Sequence, residues 1–302
     1  MLPKPNSFKR LTCESIGSRD GPLVDVRTAE AFAECRIPGS VNHCVYEISF
    51  LESFPKAFPD RSTPIAVYGE GESYRADEAA IARLQSLGYE DLALLEGGLA
   101  SWKGDGRETE GSGTKPPTPV SGVLELDNEH SKVGWVGRNL TNRHDGAVDL
   151  VQGTLELDKD RPVGGKVTVD LRTLSCRDIS DSDMASVLVK HLQNADFFHV
   201  SEHPLASFTL KSAEVLESRT YGQPNYLVRG VLTARGKELE LVMEALVERI
   251  DNGFVFQANF DFDRVALGAR YGSGSLFERL GMHLVNDLVS IDVLAVFKRP
   301  DA

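Results

Sequence analysis

Hydrophobic and polar positions alternate in several short stretches between residues 122 and 298, and this period of two predicts β-strands with one buried face. Val133 and Trp135 share one such face. From Phe254 to Phe262 every second residue is apolar, four phenylalanines and one alanine, so a strand would place that row on one side. Further strands are predicted for residues 153–157, 166–171, 207–211, 227–232 and 239–247.

A helical period interrupts this series. Residues 183–193 place Met184, Val187, Leu188 and His191 or Leu192 at near-helical spacing, which predicts a helix that plugs one end of a β-structure. The connection from this helix to the next strand carries the adjacent aromatic residues Phe197 and Phe198, followed by His203-Pro204. Two aromatic side chains in a connection predict that it folds back over an apolar interior.

Four segments of this half resemble the YceI family of lipid-binding proteins, in the same order and over nearly all of residues 122 to 298. They are LDNEHSKVGWVGRNL from Leu126, QGTLELD from Gln152, HLQNADFFHVSEHPLASFTL from His191 and DRVALGARYGSGSLFERLGMHLVNDLVSIDV from Asp263. The resemblance implies a lipocalin-like antiparallel β-barrel whose apolar lumen holds an isoprenoid lipid or the tail of a quinone. It also implies a homodimer, and no required cofactor.

Candidate ligand contacts combine this resemblance with the strand periods. The residues expected to face the lumen are Trp135, Phe208, Phe254, Phe256, Phe260 and Phe262. The residues expected to close around the ligand from connecting segments are Phe197, Phe198, Phe277 and Leu280. The alternative is that the aromatic row is ordinary barrel core, because a barrel of about eight strands is just wide enough to fill itself or to hold one small ligand.

Residues 8–102 follow an α/β pattern instead. Apolar runs at residues 22–26, 64–68 and 92–95 predict short strands, and the nearly continuous run at 64–68 is typical of a parallel sheet buried on both faces. Thr28 is suited to cap a helix that follows the first strand, and residues 76–87 predict another helix that Gly88 ends.

This half resembles the rhodanese, or sulfurtransferase, fold. The matching segments are DVRTAEAF from Asp25, CRIPGSVN from Cys35, PIAVYGEGESYRADEAA from Pro64 and LEGGLASW from Leu95. In active members the residue after the central strand is a cysteine nucleophile; here it is Gly69, while Arg75 matches the basic residue that closes the loop. Glu70 and Glu72 add negative charge to a loop that would otherwise attract anions. The resemblance therefore implies an inactive domain that serves as a docking or regulatory module for a protein partner.

An enzymatic alternative stays open, in which Cys35 or Cys44 replaces the missing nucleophile and the barrel senses a lipid or partner. Both cysteines are predicted to lie in loops rather than in the core. The four cysteines form no CxxC pair, which argues against a structural zinc site or a dense disulfide framework. His191, His199 and His203 fall close together, but no HExxH spacing accompanies them, so no metal site is predicted.

Length and charge complete the prediction. The 302 residues fit two domains, and we expect a rhodanese-like domain at 1–104, a Gly- and Pro-rich linker at 105–121 and a YceI-like barrel at 122–302. The net charge of −12 disfavours nucleic-acid binding, which needs clustered Lys or Arg. No transmembrane segment or signal peptide is apparent, which predicts a cytoplasmic protein, or a periplasmic one if a leader has been removed.

Overall fold

The structure, a computed structural model, describes residues 8–17, 19–71, 75–113, 118–217 and 220–300, without the side chain at position 282. The chain divides into two compact units, residues 1–117 and residues 118–302. Within the described residues, no helix is both long and apolar enough to cross a bilayer.

The first unit is a five-stranded parallel sheet with helices. Its strands, β1 to β5, are Lys9–Leu11, Leu23–Asp25, Val41–Asn42, Ile65–Tyr68 and Leu92–Leu95. Its helices, α1 to α5, are Cys13–Ile16, Ala29–Glu34, Phe50–Ala57, Ala76–Ser86 and Gly98–Gly104. The strand order is β1-β5-β4-β2-β3, and every pair is parallel. This confirms the predicted α/β class.

The central strand β4 shows why its sequence is apolar throughout. Ile65 and Val67 pack in one hydrophobic cluster, whereas Ala66 and Tyr68 pack in another. Successive side chains of a strand point to opposite faces, so both faces of the sheet are covered here. The prediction of a doubly buried strand is confirmed.

Local signals place the helix ends of this unit. The Thr28 hydroxyl accepts a hydrogen bond from the Ala31 N–H at 3.3 Å, which caps α2 as predicted. Helix α4 ends at Ser86, one residue before the predicted end, and Gly88 follows with a φ of +84°. That left-handed conformation is one that glycine adopts without the steric cost of a Cβ.

Residues 105–113 belong to the first unit, although they were predicted as flexible linker. The backbones of Arg36 and Glu110 exchange two hydrogen bonds of 2.8 and 3.0 Å, and the Ser112 N–H donates to the Ala33 carbonyl. The polar, glycine-rich composition hid this pairing because backbone hydrogen bonds need no apolar periodicity. Residues 114–117 of the predicted linker lie outside the described residues.

The second unit is an antiparallel barrel with one α-helix. Its strands, β6 to β14, are Gly122–Leu126, Lys132–Arg138, Arg143–Asp158, Arg161–Cys176, Leu205–Val215, Tyr226–Ala234, Lys237–Ile250, Gly253–Asp263 and Leu288–Lys298. Helix α6 spans Ser182–Gln193, and Gly281–His283 form a 3-10 turn. The predicted helix of residues 183–193 is confirmed.

The barrel closes through eight strand positions in the described part of the chain. Strands β8 to β14 pair antiparallel in chain order. The short strands β6 and β7 share the remaining position, since each pairs with both β8 and β14. All sheet edges are thereby paired around the ring, which confirms the predicted antiparallel barrel.

Strand β8 begins ten residues earlier than the prediction placed it, at Arg143 rather than Gly153. Gly146 stands opposite Trp135, and a Cβ at position 146 would collide with the Ser175 carbonyl and lie 2.7 Å from Cε2 of the indole. The glycine therefore makes room for the neighbouring strand and for the Trp135 ring, next to a shift in the register between β8 and β9.

One barrel end, which we call the helical end, carries the connections that follow strands β7, β9, β11 and β13. They consist of residues 139–142, 177–204, 235–236 and 264–287, and the second and fourth are the longest in the barrel. Helix α6 lies in the second of these connections. The helical end is therefore the part of the barrel where side chains outside the strands can cover the interior.

Candidate functional site

The barrel encloses a cavity of about 410 Å³ with a predominantly apolar wall. Small-molecule sites commonly measure about 300–1,000 Å³ and are lined mainly by hydrophobic and aromatic side chains. Seven residues that the sequence predicted as ligand contacts lie in this wall: Trp135, Phe197, Phe198, Phe208, Phe256, Phe260 and Phe262. The structure thus brings together strand residues and residues of the connection after α6.

The aromatic row of β13 faces inward over its whole length, but it does not line the cavity over its whole length. Phe256, Phe260 and Phe262 reach the wall of the cavity. Phe254 is buried in the barrel core outside that wall, with the Arg249 guanidinium 5.8 Å from its ring centroid. The expectation that Phe254 faces the ligand is therefore corrected, because parity fixes the side of the strand but not the depth along the barrel.

Phe277 and Leu280 also differ from the prediction. Both border a separate surface depression with Arg235, Lys237 and Arg270, and the Phe277 residue is 52% exposed. Their segment turns on backbone hydrogen bonds, such as the one from the Phe277 N–H to the Ser273 carbonyl at 3.0 Å. An irregular segment has no periodic face, so its apolar residues gave no information about direction.

Helix α6 covers the cavity with one narrow face. Leu188, His191 and Leu192 line the wall, whereas Met184 and Val187 are 60% and 61% exposed. The carboxylate of Asp181 caps the helix by accepting the N–H groups of Asp183 and Met184. The helical period was predicted correctly, but only the later part of the apolar stripe, from Leu188 onward, lines the cavity.

Three aromatic rings close the helical end of the cavity. The His191 ring stands edge-on to Tyr271, with ring centroids 4.5 Å apart, and edge-on to Phe197 at 4.9 Å. Phe197 and Tyr271 are themselves 5.6 Å apart. Edge-to-face contacts at these distances stabilise such clusters beyond the area that they bury. Sequence reasoning missed Tyr271, since no period or motif marks it.

Arg264 stabilises the connection that carries Tyr271. Its residue is 1% exposed, and its guanidinium donates to the carbonyls of Ala269, Val285 and Asn286 at 2.5, 2.9 and 2.9 Å. Burial lowers the pKa of Arg264. The guanidinium fixes the backbone of residues 264–287 through three charge-assisted hydrogen bonds.

Most of the polar residues of the wall lie at the helical end, while Thr154, Lys166 and Ser207 line it from the strands. The polar wall residues there are Arg138, Asn139, His144, His191, Arg264, Tyr271, His283 and Asn286. His144 is oriented by Asp178, whose Oδ2 lies 2.9 Å from Nδ1 of the ring. Although burial acts in the opposite direction, the Asp145 N–H and the His144 ring lower the pKa of Asp178. The cavity therefore has one end that suits a polar group.

In the first unit, Gly69 directly follows β4, where the rhodanese resemblance expects the nucleophilic cysteine. The Gly69 carbonyl accepts a hydrogen bond from the Leu99 N–H of α5, and the Glu70 carbonyl accepts one from the Ala100 N–H. Both N–O distances are 2.9 Å. A Cβ at position 69 would lie 3.6 Å from the backbone nitrogen of Asp77, its nearest neighbour. The backbone thus has room for a cysteine, whereas the chain has no side chain at this position.

An ion pair joins the loop after β4 to Arg27, which follows β2. The Arg27 guanidinium donates two hydrogen bonds to Asp25, with Nε–Oδ1 and Nη2–Oδ2 distances of 3.0 and 2.7 Å. Its Nη1 donates to Oε2 of Glu70 at 2.6 Å. Burial alone would lower the pKa of Arg27, but the hydrogen bonds and charges of Asp25 and Glu70 raise it. Glu72, the other predicted acidic residue of the loop, lies outside the described residues.

Arg75 does not contact the described part of the loop in the way expected of a residue that closes it. Its side chain is 84% exposed and pairs with Glu78 in the first turn of α4, with 2.6 Å between Nη2 and Oε2. Asp77 lies beside it in the same turn and is buried, which raises the pKa of its carboxyl group. The described part of the loop therefore presents carboxylates rather than free cationic groups.

The four cysteines are unpaired thiols. Cys44 lies in a loop, as the enzymatic alternative required, but it is buried in contrast to that expectation. Cys35 packs against the cluster that contains Tyr68 and Leu99, and its carbonyl accepts a hydrogen bond from Arg27. Cys35 thus packs as a small hydrophobic residue of the fold.

The cluster of histidines that the sequence suggested is divided. His191 belongs to the aromatic closure described above, whereas His199 and His203 lie together with their ring centroids 5.9 Å apart.

Comparison with known families agrees with this division of the chain. Residues 124–297 match the family model of the YceI-like domain, and residues 11–105 match that of the rhodanese-like domain. No curated protein shows significant similarity to the sequence.

Solved structures resemble each half. BcnA of Burkholderia cenocepacia is 21% identical, with 57% of this chain and 98% of that chain covered and a TM-score of 0.44. A polyisoprenoid binding domain from Saccharophagus degradans is 13% identical, with 59% and 98% covered and a TM-score of 0.45. A thiosulfate sulfurtransferase from Pseudomonas aeruginosa is 32% identical, with 34% and 20% covered and a TM-score of 0.31.

Proposed function

Because this chain belongs to the YceI-like family and also carries a rhodanese-like domain, we propose that its barrel binds an isoprenoid lipid or quinone inside the cavity. The observation that carries the proposal is the apolar cavity of about 410 Å³ within a closed barrel. A barrel filled by its own side chains would have no such space. The polyisoprenoid-binding relative from Saccharophagus degradans fits the same interpretation.

The energy of binding would come from the tail. Each buried methylene-sized group contributes about 0.8 kcal/mol, so a few isoprene units offset the cost of ordering a flexible chain. Phe198, Phe208 and Phe256 supply broad apolar surfaces on different segments of the wall. Affinity should therefore follow tail length more closely than the charge of the head group.

The polar wall gives the ligand a direction. His191, Tyr271, His283 and Asn286 line the helical end, so a quinone ring or other polar head group would lie there with the tail among the strand residues. Histidine, tyrosine and asparagine side chains both donate and accept hydrogen bonds, which suits a quinone carbonyl or a prenol hydroxyl.

The test is a competition among quinones and prenols of increasing tail length. We expect affinity to rise with each isoprene unit until the cavity is full, and Phe256→Asp to weaken it because the variant places an unpaired carboxylate in the apolar wall. Phe277→Asp is the matched control, since Phe277 is exposed and outside the cavity. Affinities that ignore tail length, or equal losses in both variants, would contradict the proposal.

For the rhodanese-like domain we propose a docking or regulatory role without sulfur transfer. The proposal rests on the missing side chain at Gly69 and on the burial of Cys44. The corresponding measurement is a thiosulfate and cyanide assay on the unmodified protein, for which we expect background turnover.

A further inference from the structure

The turn that follows Phe197 and Phe198 gathers three groups able to bind a metal ion. One ligand atom from each of His199, Glu202 and His203 lies within 4.8 Å of the other two. His199 Nε2 and Glu202 Oε1 are 3.5 Å apart. Two ligands of a tetrahedral zinc ion are separated by about 3.4 Å, given Zn–N and Zn–O bonds of about 2.0–2.2 Å. This pair therefore already has the spacing of two ligands of one ion.

The backbone of the turn supports the arrangement. His199 has a φ of +51°, a left-handed conformation in which a residue with a Cβ is uncommon. Its carbonyl accepts the N–H groups of both Glu202 and His203, at 3.1 and 2.9 Å. The three side chains thus project from a single tight turn, and such unusual backbone conformations cluster at binding sites.

A neighbouring hairpin fixes the position of this turn. Gly236 lies between β11 and β12, and a Cβ there would stand 3.2 Å from Cε1 of the His203 ring. Arg235 of the same hairpin donates to the carbonyls of Ala195 and Phe197. The His203 ring is therefore supported on one side, while the Glu202 carboxylate is exposed to solvent.

We propose that His199, Glu202 and His203 bind a divalent transition-metal ion of the zinc class. Two imidazoles and one carboxylate suit Zn²⁺ and neighbouring ions such as Co²⁺ and Ni²⁺, whereas Mg²⁺ and Ca²⁺ prefer oxygen ligands. The segment HVSEH has the reverse of the HExxH spacing, a motif in which the two histidines bind zinc and the glutamate acts as general base, so the HExxH pattern does not reveal it. Three protein ligands leave the fourth tetrahedral position to water.

The consequence for the barrel is local. A bound ion would tie the start of the turn to its end, next to the segment that carries Phe197 and Phe198 into the cavity wall. Since the ion binds the folded turn and not the unfolded chain, it should raise the thermal stability of the protein. This inference does not depend on the identity of the cavity ligand.

The test uses the full chain without a polyhistidine tag, titrated with Zn²⁺ by calorimetry and with Co²⁺ by visible absorption. We expect one ion per chain and a rise in melting temperature with Zn²⁺. His203→Gln and Glu202→Gln should each weaken Zn²⁺ binding by about tenfold or more, since even loss of a supporting residue commonly costs about 10–100-fold. Glu202→Gln keeps the experiment informative if His203→Gln disturbs the contact with Gly236.

His130→Gln is the matched control. His130 also pairs with a carboxylate, with 2.8 Å between its Nδ1 and Oδ2 of Asp127, but it has no second imidazole in its turn. Its Zn²⁺ affinity should equal that of the unmodified protein. The absence of saturable Zn²⁺ binding, or equal affinity in Glu202→Gln and the unmodified protein, would overturn the proposal.

Discussion

Arg27 holds the carboxylate of Glu70 at 2.6 Å, measured from Nη1 to Oε2, at the start of the loop that follows β4. The same guanidinium is bidentate to Asp25, so two carboxylates share one cation. Glu70 therefore takes up the positive charge that an anionic substrate or a thiolate would need at this place. The pair explains why restoring a cysteine next to it should not restore full reactivity.

The first prediction concerns Gly69→Cys. The variant should fold, because the new Cβ meets nothing closer than 3.6 Å, yet its sulfur transfer from thiosulfate to cyanide should stay weak. The double variant Gly69→Cys/Glu70→Gln removes the negative charge beside Nη1 of Arg27 and should react faster with a thiol reagent by up to about tenfold, the effect of one pKa unit on the thiolate fraction. Stopped-flow alkylation measures this rate.

Gly69→Ala is the control for Gly69→Cys, since it adds the same Cβ without sulfur. Cyanide-dependent turnover of the unmodified protein that Cys35→Ser or Cys44→Ser abolishes would instead support the enzymatic alternative.

The second prediction concerns the packing of a cavity residue. A Cβ at Gly230 would stand 2.6 Å from Cε2 of Phe208 and 2.6 Å from the Thr209 carbonyl oxygen. Gly230→Ala should therefore displace the ring and lower the free energy of unfolding by about 1–3 kcal/mol, the usual cost of overpacking. Urea unfolding measures the change. Gly137→Ala on β7 should cost much less, because its nearest atom outside the neighbouring residues lies 3.9 Å away.

The third prediction compares two residues of helix α6. Leu192→Asp should weaken binding of a long-tailed quinone by about tenfold or more, because it places an unpaired carboxylate in the apolar wall. Met184→Asp should leave binding unchanged, since Met184 lies near the start of the helix, outside the cavity wall, and is exposed. Quenching of Trp135 fluorescence by the quinone is a suitable readout. Equal losses in the two variants would show that α6 does not cover the ligand.

The fourth prediction is a pH dependence of the first unit. Burial against Phe54 and Phe58, with ring centroids 5.0 and 5.5 Å away, lowers the pKa of His43, partly opposed by the charge of Glu47. The pKa of His43 in the unfolded chain is about 6.5, which is higher than its pKa in the folded protein. Between these two pKa values, unfolding is therefore accompanied by uptake of a proton. The stability that neutral His43 provides is present above about pH 6.5 and is lost as the pH falls through the folded pKa.

Urea unfolding of the first unit, followed by Trp102 in a Trp135→Phe background, checks this sign. The loss of stability between pH 7.5 and 5 should be smaller in His43→Gln than in the parent. A parent protein whose stability does not fall over this range would contradict the expected direction.

The sequence was informative wherever a short-range period or a local signal controls the backbone. The alternation from Phe254 to Phe262 gave the inward side of β13, and Thr28 gave the start of α2. The run at Ile65–Tyr68 gave a strand buried on both faces. These features depend on neighbours within one strand or one helical turn, which the sequence displays directly.

The sequence had no such signal for the depth of a side chain along the barrel, for the direction of a side chain in a loop, or for contacts between distant segments. Phe254 shares the parity of Phe256 but lies outside the cavity wall, because the position of the cavity depends on where seven other strands and α6 place their side chains. Phe277 faces outward because its loop is held by backbone hydrogen bonds, which its apolar character does not reveal.

The amino-acid sequence by itself therefore predicts the two fold classes, the strand faces and the missing thiol at Gly69, since each depends on local pattern and residue type. The closure by His191, Phe197 and Tyr271, the pairing of Arg27 with Glu70 and the gathering of His199 with His203 around Glu202 come from the folded arrangement. In the first two, residues more than 40 positions apart meet only because the strands place them together. In the third, residues close in sequence converge only because His199 adopts a left-handed backbone conformation.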